Sequence, residues 1–142
     1  MTVAAVIEQD GRFLLVCERS GGRLVYNQPA GHLEDNESLL EAVVRETLEE
    51  TAWQFEPEAV IGIYRWRHPH NRETYMRVSF AGQGTACLSD RQLDPDIEAV
   101  VWMDLDEIRA RRDELRSPLV LRSIDDYLDG NAHPLSLLAD IE

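Results

Sequence analysis

The sequence contains no lysine: all 14 of its basic residues are arginine, set against 27 acidic ones. That absence removes two chemistries, the phosphate-gripping lysine of a P-loop and the imine-forming lysine of Schiff-base enzymes. Positive charge is scarce altogether, with a formal net charge of −13. DNA and RNA are bound mainly through many Lys and Arg contacts to phosphate, so no nucleic acid polymer is expected as a partner. No apolar run nears the ~20 residues that cross a bilayer, and no membrane partner is expected. The opening MTVAAVIEQDGRFLLVCERS lacks the basic start and small-residue cleavage site of an export signal. Cysteine is limited to Cys17 and Cys87, in no CxxC or Cys/His metal spacing. Both are expected as reduced, small core residues in a cytoplasmic protein.

What is present suits one α/β domain over residues 1–142, because a chain of this length builds a single hydrophobic core. Alternating apolar residues predict strands over 2–8 and 12–18, joined as a hairpin at Asp10-Gly11. A short strand over 24–27 leads into a loop over 29–31. Ser38 followed by Glu41 has capping-box spacing and opens a helix through about Thr51. Further strands are predicted over 60–66, 74–81 and 99–103. Asp104 or Asp106 caps a helix through about Arg112, and Pro118 opens another that stops before Gly130. The order implies helices packed against a mixed sheet.

Chemistry concentrates on the first helix. At ~100° per residue, Glu46, Glu49 and Glu50 fall within an arc of about 100°. Like charges at this spacing repel, and Arg45 alone stands among them as a counter-charge. A solvated acidic face would explain these residues by themselves. The preceding Asn-Gln-Pro-Ala-Gly segment ends at Gly31, where a backbone without a side chain can approach a metal or a phosphate. A glycine loop beside an acidic helix makes a cleft in which a small phosphorylated molecule would need bound cations. Oxygen ligands favour Mg²⁺ or Mn²⁺.

Read from Gly31, GHLEDNESLLEAVVRETLEETAW runs Gly, five residues, Glu37, seven residues, Arg45-Glu46, two residues, Glu49-Glu50. This spacing over residues 31–53 resembles the signature box of the Nudix hydrolases. Ala52 departs from the box's second glycine, and Thr47 and Trp53 stand where aliphatic residues are usual. If position 52 adopts positive φ, alanine costs about 1 kcal/mol there. Three further runs, NQPAGHLE from Asn27, LRSPLVLRSIDDYLDG from Leu115 and HPLSLL from His133, are similar to a NudJ-type branch of bacterial phosphatases within that family.

The resemblance implies an α/β/α sandwich with a mixed sheet. It also implies divalent-metal-dependent hydrolysis of hydroxymethylpyrimidine pyrophosphate, thiamine pyrophosphate and nucleoside di- and triphosphates, with release of phosphate. Glu46, Glu49 and Glu50, with the carbonyl of Gly31, are the implied metal site, and Glu37 and Arg45 its structural support. Glu34 is a secondary metal candidate. Later Nudix loops often add an acid, and Glu98 is the first choice here, ahead of Asp96 and Asp94. For substrate, Arg65, Arg67 and Arg77 are candidates to hold phosphate, Tyr26, Trp66 and Tyr75 to stack on a ring, and His32 to touch phosphate. His68 and His70 flank a turn and suit a polar loop over the substrate. The chain is expected as a monomer or homodimer. Two other readings stay open: a Nudix hydrolase of ADP-ribose, nucleotide sugars or oxidised nucleotides, and a non-catalytic module that binds a metabolite.

Overall fold

The computed structural model describes residues 1–141. Strands β1 (Thr2–Gln9), β2 (Arg12–Ser20), β3 (Arg23–Asn27) and β4 (Ala30–His32) precede helix α1 (Leu39–Thr51). Strands β5 (Trp53–Arg67), β6 (Thr74–Cys87) and β7 (Ile97–Asp104) follow, then helices α2 (Leu105–Ala110) and α3 (Leu119–Leu128). The sheet runs β3-β2-β1-β6-β5, with β4 joined to β1 and β7 to β2. It is mixed: β1 and β6 are parallel, and the other named pairings are antiparallel.

Alternation along the central strand gives the sheet two apolar faces. Val3, Ala5 and Ile7 of β1 pack with Ala42 and Val43 of α1, whereas Val6 packs with Ile108 of α2 and Val120 and Ile124 of α3. Since successive strand side chains point to opposite faces, this two-sided burial requires helices on both sides. The result is the expected α/β/α sandwich. No helix among the described residues is long and apolar enough to cross a membrane.

Several boundaries differ from the sequence reading. The segment read as a loop at 29–31 contributes β4, because Ala30, Gly31 and His32 pair with Ala4, Val3 and Thr2. β5 begins at Trp53 instead of residue 60: its polar, Pro57-containing first half pairs with β6 across irregular register shifts, which alternation does not reveal. Asp104, not Asp106, caps α2 with a full capping box through Glu107, and α2 ends at Ala110. Cys17 is buried but Cys87 is exposed at the end of β6, so only one cysteine belongs to the core.

Candidate active site

Helix α1 begins with the predicted capping box: the Glu41 amide donates to Ser38 Oγ at 3.1 Å and the Ser38 amide to Glu41 Oε1 at 3.0 Å. Glu41 is thereby occupied, leaving Arg45 to the acids around it. Arg45 Nη2 and Nε meet the two oxygens of Glu37 at 2.6 and 2.8 Å. Its Nη1 donates to Glu46 at 2.8 Å and Glu49 at 3.2 Å, and Nη2 reaches the His32 carbonyl at 3.1 Å. One fixed guanidinium thus ties the helix to the segment behind β4. The Arg45 hydrogen bond holds the Glu37 carboxyl below its usual range. Glu34 lies 3.7 Å from Arg45, with an exposed side chain.

The three helix acids do not converge equally. Carboxylate oxygens of Glu46, Glu49 and Asp94 lie within 4.8 Å of one another. Glu50 is turned inward, only 8% exposed, and its Oε1 accepts the Ala30 amide at 2.9 Å. On the helical wheel Glu46 stands between the other two, so Glu49 and Glu50 flank it on opposite sides. Burial pushes Glu50 up to about 8, with Glu18, Glu46 and Asp94 adding to the rise. Burial also raises Glu46, which the Arg45 bond partly offsets. The cluster therefore lacks positive charge even with Arg45 in place.

Asp94 reaches the cluster because the loop between β6 and β7 is tied to the end of α1. The Leu88 amide donates to the Ala52 carbonyl at 2.8 Å and the Asp94 amide to the Glu49 carbonyl at 3.1 Å. Glu98, the first-choice extra acid, lies inside β7 and is paired with Arg19 at 2.6 Å. Nothing local in the sequence distinguishes Asp94 from Asp96 or Glu98; the anchoring bonds are tertiary. Ala52 does adopt positive φ, +64°, as the C-cap of α1.

Gly31 answers to packing, since its φ is not in the left-handed region. A Cβ at that position would overlap the Glu46 carboxylate where Arg45 holds it, so glycine lets β4 lie against that carboxylate without displacing it. Three acid oxygens of the hard type, a glycine backbone alongside and raised carboxyl values fit a divalent cation.

Two adjoining cavities lie beyond Gly31, and the polar one reaches the cluster through that residue. A polar one of about 400 Å³ is lined by Gly31, His32, Glu18, Arg77, Trp66 and Tyr75 among others. A more apolar one of about 490 Å³ lies between Trp66, His68 and the segment that opens α3, including Leu115, Pro118 and Leu121. They share Trp66, His68, Arg116 and Ser117. Trp66 lies 5.1 Å from His68 and 5.9 Å from Tyr75, ring centre to ring centre. His68 Nδ1 accepts the His70 and Asn71 amides, so the polar turn is folded on itself.

Strand alternation sorts the substrate candidates. Tyr75 and Arg77 share a face with their partners Trp66 and Tyr64. Arg65 and Arg67 fall on the other side, exposed, with Arg67 bonded to the Arg72 carbonyl; neither lines a cavity. Tyr26 lines neither cavity and lies under Arg111, 5.6 Å from the guanidinium carbon. Glu18 and Arg116, which sequence reasoning passed over, line the polar cavity and pair at 2.8 Å. They are 98 residues apart, so no spacing announces them.

The sequence pattern of the NUDIX domain matches residues 1–123. Phosphatase NudJ of Escherichia coli (strain K12) is 38% identical over 140 residues, covering 99% of this chain and 90% of that protein. The NudJ phosphatase of Shigella sonnei matches to the same extent. Among solved structures, a NUDIX hydrolase from Nitrosomonas europaea superposes with a TM-score of 0.96 at 48% identity, covering 99% of this chain and 95% of that one. A MutT NUDIX hydrolase from Burkholderia pseudomallei, at 22% identity and a TM-score of 0.70, shares the fold. With the box residues assembled around Gly31 and Glu46, the chain belongs to the NUDIX family and is a Nudix hydrolase similar to the NudJ phosphatases.

Proposed function

We propose that the chain hydrolyses a pyrophosphate bond of small, ring-bearing di- and triphosphates with Mg²⁺ or Mn²⁺ and releases orthophosphate. The substrates that fit this reading are hydroxymethylpyrimidine pyrophosphate, thiamine pyrophosphate and nucleoside di- and triphosphates. The observation that carries it is the meeting of Glu46, Glu49 and Asp94 oxygens beside a glycine strand that opens on the polar cavity. Glu46, Glu49 and Asp94 would hold the cation, with Glu50 and the Gly31 carbonyl beside it. A bound divalent cation supplies charge neutralisation of the phosphate oxygens and a more acidic water.

The chain's own residues do the rest. Arg45, fixed by Glu37, orients Glu46 and Glu49. Glu46 is the group on the cluster available to take a proton from an attacking water, whereas Glu50, pushed up to about 8 by burial, is largely protonated at neutral pH without a cation. Trp66 and Tyr75 offer flat faces to a ring. The relatives named NudJ phosphatases support the released product.

The test is a panel of the pyrimidine pyrophosphate, thiamine pyrophosphate, nucleoside di- and triphosphates and ADP-ribose, with orthophosphate and pyrophosphate measured separately with and without Mg²⁺ or Mn²⁺. Cation-dependent orthophosphate release from the first groups is expected. Preference for ADP-ribose would keep the hydrolase and refute the substrate class.

A further inference from the structure

Strand β6 carries a charge into the middle of the sheet. Arg77 lies opposite Tyr64 of β5 and beside Thr2 of β1, and is 8% exposed. Its Nε and Nη1 atoms are buried without a hydrogen-bond partner among the described residues. Desolvation, reinforced by Arg116, pulls its pKa down to about 10 despite the opposing influence of Glu18 and Glu50. The group is still cationic at neutral pH. A buried, unpaired guanidinium is costly to a fold, and such costs are kept where a ligand uses them.

The surroundings indicate the ligand's chemistry. Arg77 and Arg116 line the same polar cavity. Arg116 is anchored by its amide to the Tyr26 carbonyl at 2.8 Å and by its side chain to Glu18 at 2.8 Å. Glu18 also accepts Asn27 Nδ2 at 3.3 Å. Arg116 therefore answers Glu18 directly, and Arg77, which feels Glu18 and Glu50 without touching either, has no ion-pair partner of its own among the described residues. One end of this cavity reaches Gly31, beside the Glu46 carboxylate, and the other merges with the apolar chamber at Trp66 and Ser117.

We propose that Arg77, with Arg116 held beside it by Glu18, is a preformed anion subsite that binds a phosphoryl group lying between the carboxylate cluster and the ring chamber. Its ligand class rests on the phosphohydrolase reading, but its affinity for anions does not. Because its charge comes from the protein, the subsite works without a metal. A substrate with two phosphoryl groups would place the ring-proximal one at Arg77 and the outer one toward Glu46.

The experiment compares wild type, Arg77→Met and Arg116→Gln. Binding of inorganic pyrophosphate is measured by calorimetry in EDTA, the melting temperature is measured without ligand, and KM and kcat are measured with metal. Wild type should bind pyrophosphate in EDTA, and Arg77→Met should weaken that binding by about ten-fold or more, as expected for a lost charge-assisted bond. The ligand-free Arg77→Met protein should melt higher than wild type, because an uncompensated cation has been replaced by an apolar side chain of similar length. Its KM should rise more than its kcat falls. Arg116→Gln, at a half-exposed position, should weaken pyrophosphate binding by a smaller factor. Unchanged pyrophosphate affinity in both variants would overturn the proposal, as would a lower melting temperature in Arg77→Met with affinity intact. Pyrophosphate binding through Arg77 without turnover of any compound would leave the subsite standing and sink the hydrolase reading. Turnover with KM unaffected by Arg77→Met would do the reverse.

Discussion

In a Glu50→Gln variant the side chain keeps its length and an oxygen for the Ala30 amide, 2.9 Å away in the wild type, but loses its negative charge. The carboxyl is pushed up to about 8 from an ordinary 4.5 by burial first and by Glu18, Glu46 and Asp94 next. Between those two values the folded state binds more protons than the unfolded one, so stability falls as pH rises through that window and is flat on either side. At pH 7 the accumulated cost is roughly 3 kcal/mol, since each pH step across the window is worth about 1.4 kcal/mol. Glutamine escapes that cost but buries an amide NH₂, which returns about 1 to 2 kcal/mol. The net gain of about 1 to 2 kcal/mol should raise the melting temperature by roughly 2 to 8 °C for a domain of this size. Thermal melts of both proteins in EDTA, from pH 4 to 9, measure it. Near pH 4 the variant should be less stable by about 1 to 2 kcal/mol, the difference should reverse as pH rises and level above about pH 8, while turnover with metal falls on the order of 100-fold. A variant less stable at pH 8, or a gain largest at pH 4, would refute the burial argument.

Other perturbations test separate parts of the site. Gly31→Ala places a Cβ against the Glu46 carboxylate, the movable end of a side chain, and should displace it from Arg45; turnover should fall, checked by phosphate release, while melts show a stability change below about 1 kcal/mol. Asp94→Asn should weaken Mn²⁺ binding by about 10 to 100-fold, measured by calorimetry. Glu98→Gln, which loses only an exposed pair with Arg19, should leave Mn²⁺ binding within about two-fold; the opposite ranking would restore Glu98 as the fourth acid. Ala52→Gly relieves a residue at φ +64° and should stabilise the fold by about 0.5 to 1 kcal/mol, and a lower melting temperature would show that the alanine methyl contributes more by packing.

The parts of the site legible from sequence are those built by local geometry. Helical spacing gathers Glu46, Glu49 and Glu50 within one arc and capping chemistry marks the start of α1, while positive φ at position 52, only a condition on sequence, is met at the end of that helix. Strand alternation limited the arginine candidates without choosing among them, because the face of β6 that turns inward depends on its pairing with β1 and β5. By sequence Glu98 ranks ahead of Asp94 because it stands next to the strand predicted over 99–103, and only the bonds from the loop to Glu49 and Ala52 bring Asp94 to the helix. Glu18 and Arg116 lie on elements that meet only in the folded chain. The unequal roles of the three helix acids also needed the structure: Glu50 is drawn inward by β4, a strand whose Pro-Ala-Gly composition reads as a turn.

The claim on which the account depends is that this carboxylate cluster holds a divalent cation at the mouth of the polar cavity. Crystals grown with Mn²⁺ and measured at the manganese absorption edge test it directly. An anomalous peak is expected in contact with carboxylate oxygens of Glu46, Glu49 and Asp94, beside Gly31. A fully active, Mn²⁺-supplied protein whose anomalous peaks all lie away from these residues would contradict it.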